Sequence, residues 1–287
     1  MKLTLPEKNK IRRKDLIIYI SIVVICIISI IIAFYVQFYA RIDVGRLIGL
    51  AKEVEFGQKT DEETEILKSE FDQIFTNTVT DNEEKNSGKK VDEGKDLIFT
   101  EYEKKESKLN SYDIEVHIPQ INIDNEIIEK YNQEIQEVFK SKTESILKSE
   151  NKNIIYTVEY VANVQDDILS LMIRSNLKEG ASAQRVIIQT YNYDLRNNKE
   201  ITLSEVLAIE HVDEKEIQTK IKNTVEQEQK KVEALKELGY NIYNRDTTSN
   251  IYEIENSTEF YLTENTLYIV YAYGNETFTS EMDLVII

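Results

Sequence analysis

The sequence predicts an α+β fold, with antiparallel sheet packed by two longer helices, preceded by one transmembrane helix and a juxtamembrane helix. Three observations carry this expectation. Residues 16–40 form an uncharged apolar run, residues 111–118 alternate apolar and polar with period two, and residues 124–147 place apolar side chains at helical spacing. Strand patterns and helix patterns then follow in separate blocks rather than in strict alternation, which favours α+β over a doubly wound sheet.

The apolar run reads LIIYISIVVICIISIIIAFYVQFYA and holds a single polar amide, Gln37. As a helix it spans roughly 37 Å at ~1.5 Å per residue, more than the ~30 Å hydrocarbon core of a bilayer. Only a helix satisfies its own backbone in lipid. The run is too long for a signal peptide, and Phe38-Tyr39-Ala40 offers no small-residue cleavage context. Residues 1–15 hold Lys2, Lys8, Lys10, Arg12, Arg13 and Lys14 against Glu7 and Asp15, a net +4. A Lys/Arg-rich flank stays in the cytoplasm, so residues 1–15 are expected inside and the bulk of the chain outside. The expected placement is therefore a cell membrane, crossed once. The whole chain carries −17, so the outer part carries −17 − 4 = −21. Such a surface repels nucleic acid and favours a cationic protein or peptide as partner.

Residues 41–79 read as helix. Val44, Leu47, Ile48, Leu50 and Ala51 make one apolar stripe, and Ile66, Leu67, Phe71, Ile74 and Phe75 a second. This helix is either a stalk that associates with a second copy or an element packed on the globular part; the sequence leaves both open. Residues 80–96 (TDNEEKNSGKKVDEGKD) have one aliphatic side chain and read as a flexible linker. An N-terminal α+β subdomain over 97–195 and a C-terminal one over 196–287 complete the expected organisation.

In the first subdomain the strand 111–118 ends at Pro119. Asp124 is the expected N-cap of a helix of about six turns carrying Ile127, Ile128, Tyr131, Ile135, Val138, Phe139, Ile146 and Leu147. Three strands follow over 154–164, 168–177 and 185–195, turned by Asp166-Asp167 and Gly180-Ala181-Ser182, and short connections favour an antiparallel meander. In the second, Thr202-x-x-Glu205 has capping-box form. Asp213 starts a longer helix with Ile217, Ile221, Val225, Val232, Leu235 and Leu238 on its apolar face and Gly239 at its end. Strands are expected over 259–262, 267–273 and 282–287, the middle one central because it is apolar on both faces.

Motifs of chemistry are absent from the sequence. The two histidines, His117 and His211, accompany no G-x-S-x-G elbow, no H-E-x-x-H pair and no Ca²⁺-binding loop. No catalytic residue, metal site or cofactor is expected. The 17 tyrosines are the one suggestive feature. Tyr191, Tyr193, Tyr268, Tyr271 and Tyr273 fall in expected strands and form a candidate recognition surface, since Tyr offers broad, stiff contact area; core packing alone is the weightier account of them.

Three stretches carry a resemblance. They are Tyr193-Asp194-Leu195 leading through Lys199-Glu200-Ile201-Thr202-Leu203 into Ser204-Glu205-Val206-Leu207, then Phe260-Tyr261-Leu262-Thr263 running through Leu267-Tyr268-Ile269-Val270-Tyr271, and finally Phe278-Thr279-Ser280-Glu281-Met282-Asp283-Leu284. In these, residues 97–287 resemble a family of bacterial extracytoplasmic domains of unassigned function. That family forms the outer part of the lysozyme-sensing anti-sigma factor RsiV and precedes the deacetylase domain of PdaC-like cell-wall enzymes. No deacetylase domain follows residue 287 in this sequence, and 15 inner residues are short for holding a sigma factor. The resemblance implies an anchored, non-catalytic binding or sensing module whose ligand is a cationic protein such as lysozyme, or peptidoglycan. Two alternatives stay open: a cell-wall-modifying enzyme with an unrecognised carboxylate or tyrosine site, and a structural partner in a membrane complex acting through 41–79.

Overall fold

The computed structural model describes residues 59–81, 89–273 and 280–287. The expected cytoplasmic tail, the expected membrane span at 16–40 and the whole of the first apolar stripe lie outside these residues. Among the described residues no helix is long and apolar enough to cross a membrane.

The described chain is α+β and rich in antiparallel pairs. It begins with helix α1 (Asp61–Glu70), whose N-cap Thr60 exchanges hydrogen bonds with Glu63 in a capping box. A 3₁₀ turn (Phe71–Gln73) and strand β1 (Thr78–Asp81) follow. The expectation of one helix through residue 79 is therefore corrected. Asn77 adopts a φ of 54°, accepts the Tyr160 N–H on its side chain at 3.0 Å and donates its own N–H to Tyr160 O at 2.9 Å. That left-handed kink, which Asn tolerates, turns the chain from helix into strand. The 3–4 spacing of Phe71, Ile74 and Phe75 imitates a continued helix because a 3₁₀ turn also returns side chains to one face.

A hairpin of β2 (Ile98–Lys108) and β3 (Tyr112–Ile121) comes next. Strand β2 is an edge strand whose Lys and Glu side chains obscure its alternation. Strand β3 runs through Pro119 rather than ending there. Its pairing with the neighbouring strand stops at Val116, so the missing Pro119 N–H breaks no ladder bond on that side, and a bulge at Thr100/Tyr102 lies opposite. Helix α2 (Glu126–Ile135) is capped by Asn125, one residue later than expected. It continues through a π-helical turn (Gln136–Lys140) into α3 (Ser141–Lys148).

Strands β4 (Ile154–Gln165), β5 (Ile168–Glu179) and β6 (Arg185–Asp194) form the expected antiparallel meander. Asp166 and Asp167 both take positive φ (50° and 61°), the conformation a two-residue hairpin turn demands. Strand β7 (Lys199–Glu200) adds a short edge. The described strands of the large sheet run β2-β3-β4-β5-β6-β7, with β1 also on β4. Two of these pairs, β3 with β4 and β1 with β4, are parallel, because the α2–α3 crossover returns β4 in the direction of β3. The sheet is thus mixed, where the sequence suggested antiparallel pairing alone.

Helix α4 (Leu203–Ile209) starts at the Thr202/Glu205 capping box, and α5 (Glu214–Glu237) starts at Asp213. Strands β8 (Phe260–Thr263), β9 (Thr266–Tyr273) and β10 (Glu281–Ile286) make a second sheet with β9 in the centre. Three apolar clusters separate the layers. Helices α2–α3 pack on one face of the large sheet through Ile128, Ile135 and Phe139 against Val116, Val158 and Leu171. The sheets meet through Val161, Met172 and Ile188 against Tyr261, Tyr268 and Ile286. Helices α4–α5 cover the small sheet through Val206, Ile217 and Ile221 against Leu267, Ile269 and Val285. The order is helix, sheet, sheet, helix. The boundary expected near residue 195 is not a structural division, since the sheets share the middle cluster.

Phe71 and Phe75 belong to that cluster. Their rings meet edge-to-face at 5.5 Å, and Phe71 lies 5.7 Å from the Tyr268 ring. The described part of the expected juxtamembrane helix is therefore packed on the globular part. Phe71→Ala is expected to destabilise the chain by about 3–5 kcal/mol. Ile66→Ala, on the exposed side of α1, should cost under about 0.5 kcal/mol. Denaturation of both variants in detergent checks the contrast; equal small losses would contradict this packing.

Candidate functional site

The tyrosines named from the sequence are distributed through the interior. Tyr191, Tyr193, Tyr268 and Tyr271 are 5%, 0%, 4% and 7% exposed, so four of the five face inward and do not form a surface patch. Only the backbone of Tyr273 is described. Tyr193 fills the helix-facing core, Tyr268 the cluster between sheets, and Tyr271 packs at 5.0 Å on Tyr252 while sharing a 2.8 Å hydrogen bond with Ser257. His117 is half-buried on β3 opposite Glu103, and His211 is exposed at the turn between α4 and α5.

The residues that carry the family resemblance have structural work of their own. Asp194 accepts the backbone N–H groups of Arg196 and Asn197 at 3.0 and 2.9 Å and closes the turn into β7. Thr202 and Glu205 cap α4. Asp283 on β10 is 1% exposed in side chain and receives Arg245 through Nε at 2.8 Å and Nη2 at 2.7 Å, with the Tyr252 hydroxyl at 3.4 Å. That ion pair ties the segment after α5 to the small sheet.

One place collects polar groups beyond what folding uses: the outer edge of β6. The sequence positions its members through four elements. Helix α2 presents Tyr131 and Glu134, β6 presents Tyr191, β7 presents Glu200 opposite Tyr193, and the residue before β8 is Glu259. The Tyr131 and Tyr191 rings lie 4.9 Å apart. Glu259 accepts the Thr190 N–H at 2.6 Å on that edge. The Tyr131 hydroxyl lies 3.5 Å from Asn192 O and is acted on by Glu200 and Glu134. Burial raises the Tyr131 hydroxyl above its ordinary range, and Glu200 and then Glu134 add to it. Burial likewise raises Tyr191, with Glu134 and Glu259 adding to it. The Tyr191 hydroxyl is buried without a hydrogen-bond partner among the described residues. A separate cavity of about 290 Å³, lined by Glu200, Ile201, Ile254, Thr258 and Phe260 among others, shares only Glu200 with this group. Among the described residues the cation beside these carboxylates is Lys130, 3.9 Å from Glu134 and largely exposed. Sequence reasoning reached Tyr191 but not the glutamates, because 52 acidic residues give no local signal of which ones meet.

The site contains carboxylates and phenols but no nucleophile paired with a base. Among the described residues no group of three or more metal-ligating side chains is arranged to hold a metal ion. Its carboxylates offer negative charge and hydrogen-bond acceptors.

No family model matches the chain, and no curated protein does. Among solved structures, a DUF3298 family protein from Pseudomonas aeruginosa PAO1 is similar at 12% identity and a TM-score of 0.37, over 62% of this chain and 82% of that one. A member of the same family from Bacteroides fragilis is similar at 13% identity and a TM-score of 0.34, over 61% and 80%. At this level of likeness no property of those proteins is carried over to this chain.

Burial raises the Glu259 carboxyl above its ordinary value of 4.5, outweighing the hydrogen bonds from Thr190 and Thr258. The folded chain then binds its proton more tightly than the unfolded chain does. Stability from this group is fullest below pH 4.5 and declines as pH rises through the raised value. Glu259→Gln keeps an acceptor for the Thr190 N–H and removes the buried charge. The variant is expected to melt higher than the parent near pH 7 and to lose that advantage at about pH 4; thermal melts across pH check it.

Proposed function

We propose that this chain is a membrane-anchored, extracytoplasmic, non-catalytic binding or sensing module of the RsiV/PdaC-like type, whose outer domain takes a cationic protein or peptide. The observation that carries this reading is charge. The chain beyond residue 15 totals −21, and within the described fold three glutamates converge on two buried tyrosines with one exposed lysine near them. A surface of that sign attracts a basic partner over a distance set by the Debye length, ~8–10 Å near physiological salt. Anchoring is supported by the run at 16–40 and its basic flank.

Two measurements test the two halves of the reading. Protease added to intact cells is expected to trim the chain to its N-terminal membrane fragment; a fully protected chain contradicts the outward placement. Titration calorimetry of the full chain in nonionic detergent against hen lysozyme, a basic protein, is expected to give binding at low salt that weakens steeply at ~0.5 M salt. Absence of heat at low salt removes the cationic ligand.

A further inference from the structure

On one side the large sheet ends at β2, whose antiparallel pairing with β3 uses one edge of the strand. Among the described residues no strand pairs with the other edge. The bulge at Thr100/Tyr102 ends the regular stretch on one side and the hairpin turn, where Ser111 donates to Lys108 O at 2.9 Å, ends it on the other. Residues Tyr102 to Lys108 therefore turn a regular row of backbone donors and acceptors outward. Edges of this kind are usually blunted by like charges, commonly Lys. Here both signs are present and ordered about Lys105. Lys104 and Glu106 flank it on one face and lie 2.6 Å apart; Glu103 and Ser107 flank it on the other. Lys105 itself is met within its own chain by Glu115 at 2.7 Å.

We propose that β2 docks on β2 of a second copy of this chain, antiparallel about a two-fold axis at Lys105, so that the two large sheets continue into one another. In that register the whole stretch from Tyr102 to Lys108 pairs, and each edge satisfies the other's backbone groups. Lys104 then stands opposite Glu106 of the partner subunit, twice by symmetry. Tyr102 stands opposite Lys108 of the partner subunit, an aromatic ring beside an ammonium. The two Lys105 side chains meet at the axis, each neutralised by its own Glu115. Moving the axis to Glu106 shortens the paired stretch to 104–108, sets Lys104 against Lys108 twice and sets Glu106 against itself. Moving it to Lys104 shortens the stretch to 102–106 and sets Lys104 against itself. A seam of one strand pair is a small interface, which makes the association weak and concentration-dependent. It uses none of the carboxylates at the β6 edge and no residue of 41–79, so it stands apart from the ligand reading and from a stalk.

Cysteine cross-linking of the full chain in nonionic detergent, at raised protein concentration, tests this register. The one native cysteine, Cys26, is first replaced by Cys26→Ser. Directly opposed residues of an antiparallel pair lie about 4.5–5.5 Å apart between Cα atoms, inside the disulfide range of about 4.4–6.8 Å. Lys105→Cys is therefore expected to oxidise to a covalent dimer. Glu103→Cys and Ser107→Cys, at positions as exposed as Lys105, would each sit about 13 Å from their symmetry mates, four residues at ~3.3 Å each. Each alone is expected to cross-link about tenfold less than Lys105→Cys, and the two variants mixed are expected to cross-link to one another. Lys104→Glu, added to the Lys105→Cys chain, turns both facing pairs repulsive and is expected to lower the yield about tenfold with little change in melting temperature. Adding Glu106→Lys reverses both charges of each pair and is expected to restore the yield. No product from Lys105→Cys, equal yields from Lys105→Cys and Ser107→Cys, no product from the mixed variants, or a yield indifferent to Lys104→Glu would each overturn the proposal.

Discussion

The architecture depends on how the free edge of β8 is satisfied. Strand β8 is the outer strand of the small sheet, and it lies across a face of the large one. An exposed edge is a row of unmet donors and acceptors. Here side chains of the large sheet meet them. Ser170 accepts the Leu262 N–H at 3.0 Å and donates to Asn192 Oδ1 at 2.6 Å. The Asn192 amide donates to Phe260 O at 2.9 Å, and Thr190 accepts the Phe260 N–H at 3.2 Å. Gln165 continues the seam to Glu264 O at 3.3 Å. All four side chains point to the same face because they alternate with Val164, Leu169, Tyr191 and Tyr193 along their strands.

This seam sets the registration of everything outside it. It fixes β8, hence β9 and β10, and so the platform on which α4 and α5 lie. It also leaves the wedge that Phe71 and Phe75 fill, where Arg174 stacks on Phe75 at 4.1 Å and pairs with Asp72 and Glu159. The carboxylate cluster at the β6 edge is a by-product of the same geometry. Thr190 holds both the β8 entry and Glu259, so the place where the small sheet joins the large one is also where the carboxylates gather.

Much of the fold was legible because it rests on local rules. The Asp166-Asp167 hairpin, the Thr202/Glu205 box, the Asp213 cap and Gly239 with its φ of 91° follow from short-range geometry, and the structure contains each. What sequence missed depends on distant partners. Strand β1 exists because Asn77 meets Tyr160 across 83 positions, and β2 because β3 lies beside it; neither shows a clean period of its own. Leu235 and Leu238 continue the α5 stripe in sequence yet are 38% and 75% exposed, because the small sheet no longer underlies the last turns. The site was less legible still. Tyrosine in a strand signals burial and recognition alike, and only the third dimension shows that Tyr191, Tyr193, Tyr268 and Tyr271 are all packed inside. The resemblance rests on residues such as Asp194 and Asp283 that build turns and buried pairs, so it speaks to architecture.

The seam is tested most directly by residue-resolved amide hydrogen exchange under native conditions. The amides of Phe260 and Leu262 donate to side chains of the other sheet, Thr190 and Ser170. If the two sheets are one cooperative unit, these amides open with the same free energy as that of Leu171 in the centre of β5, by global unfolding alone. Exchange of Phe260 and Leu262 through a lower-energy opening, while Leu171 stays protected, would show that the sheets separate independently and would contradict the account.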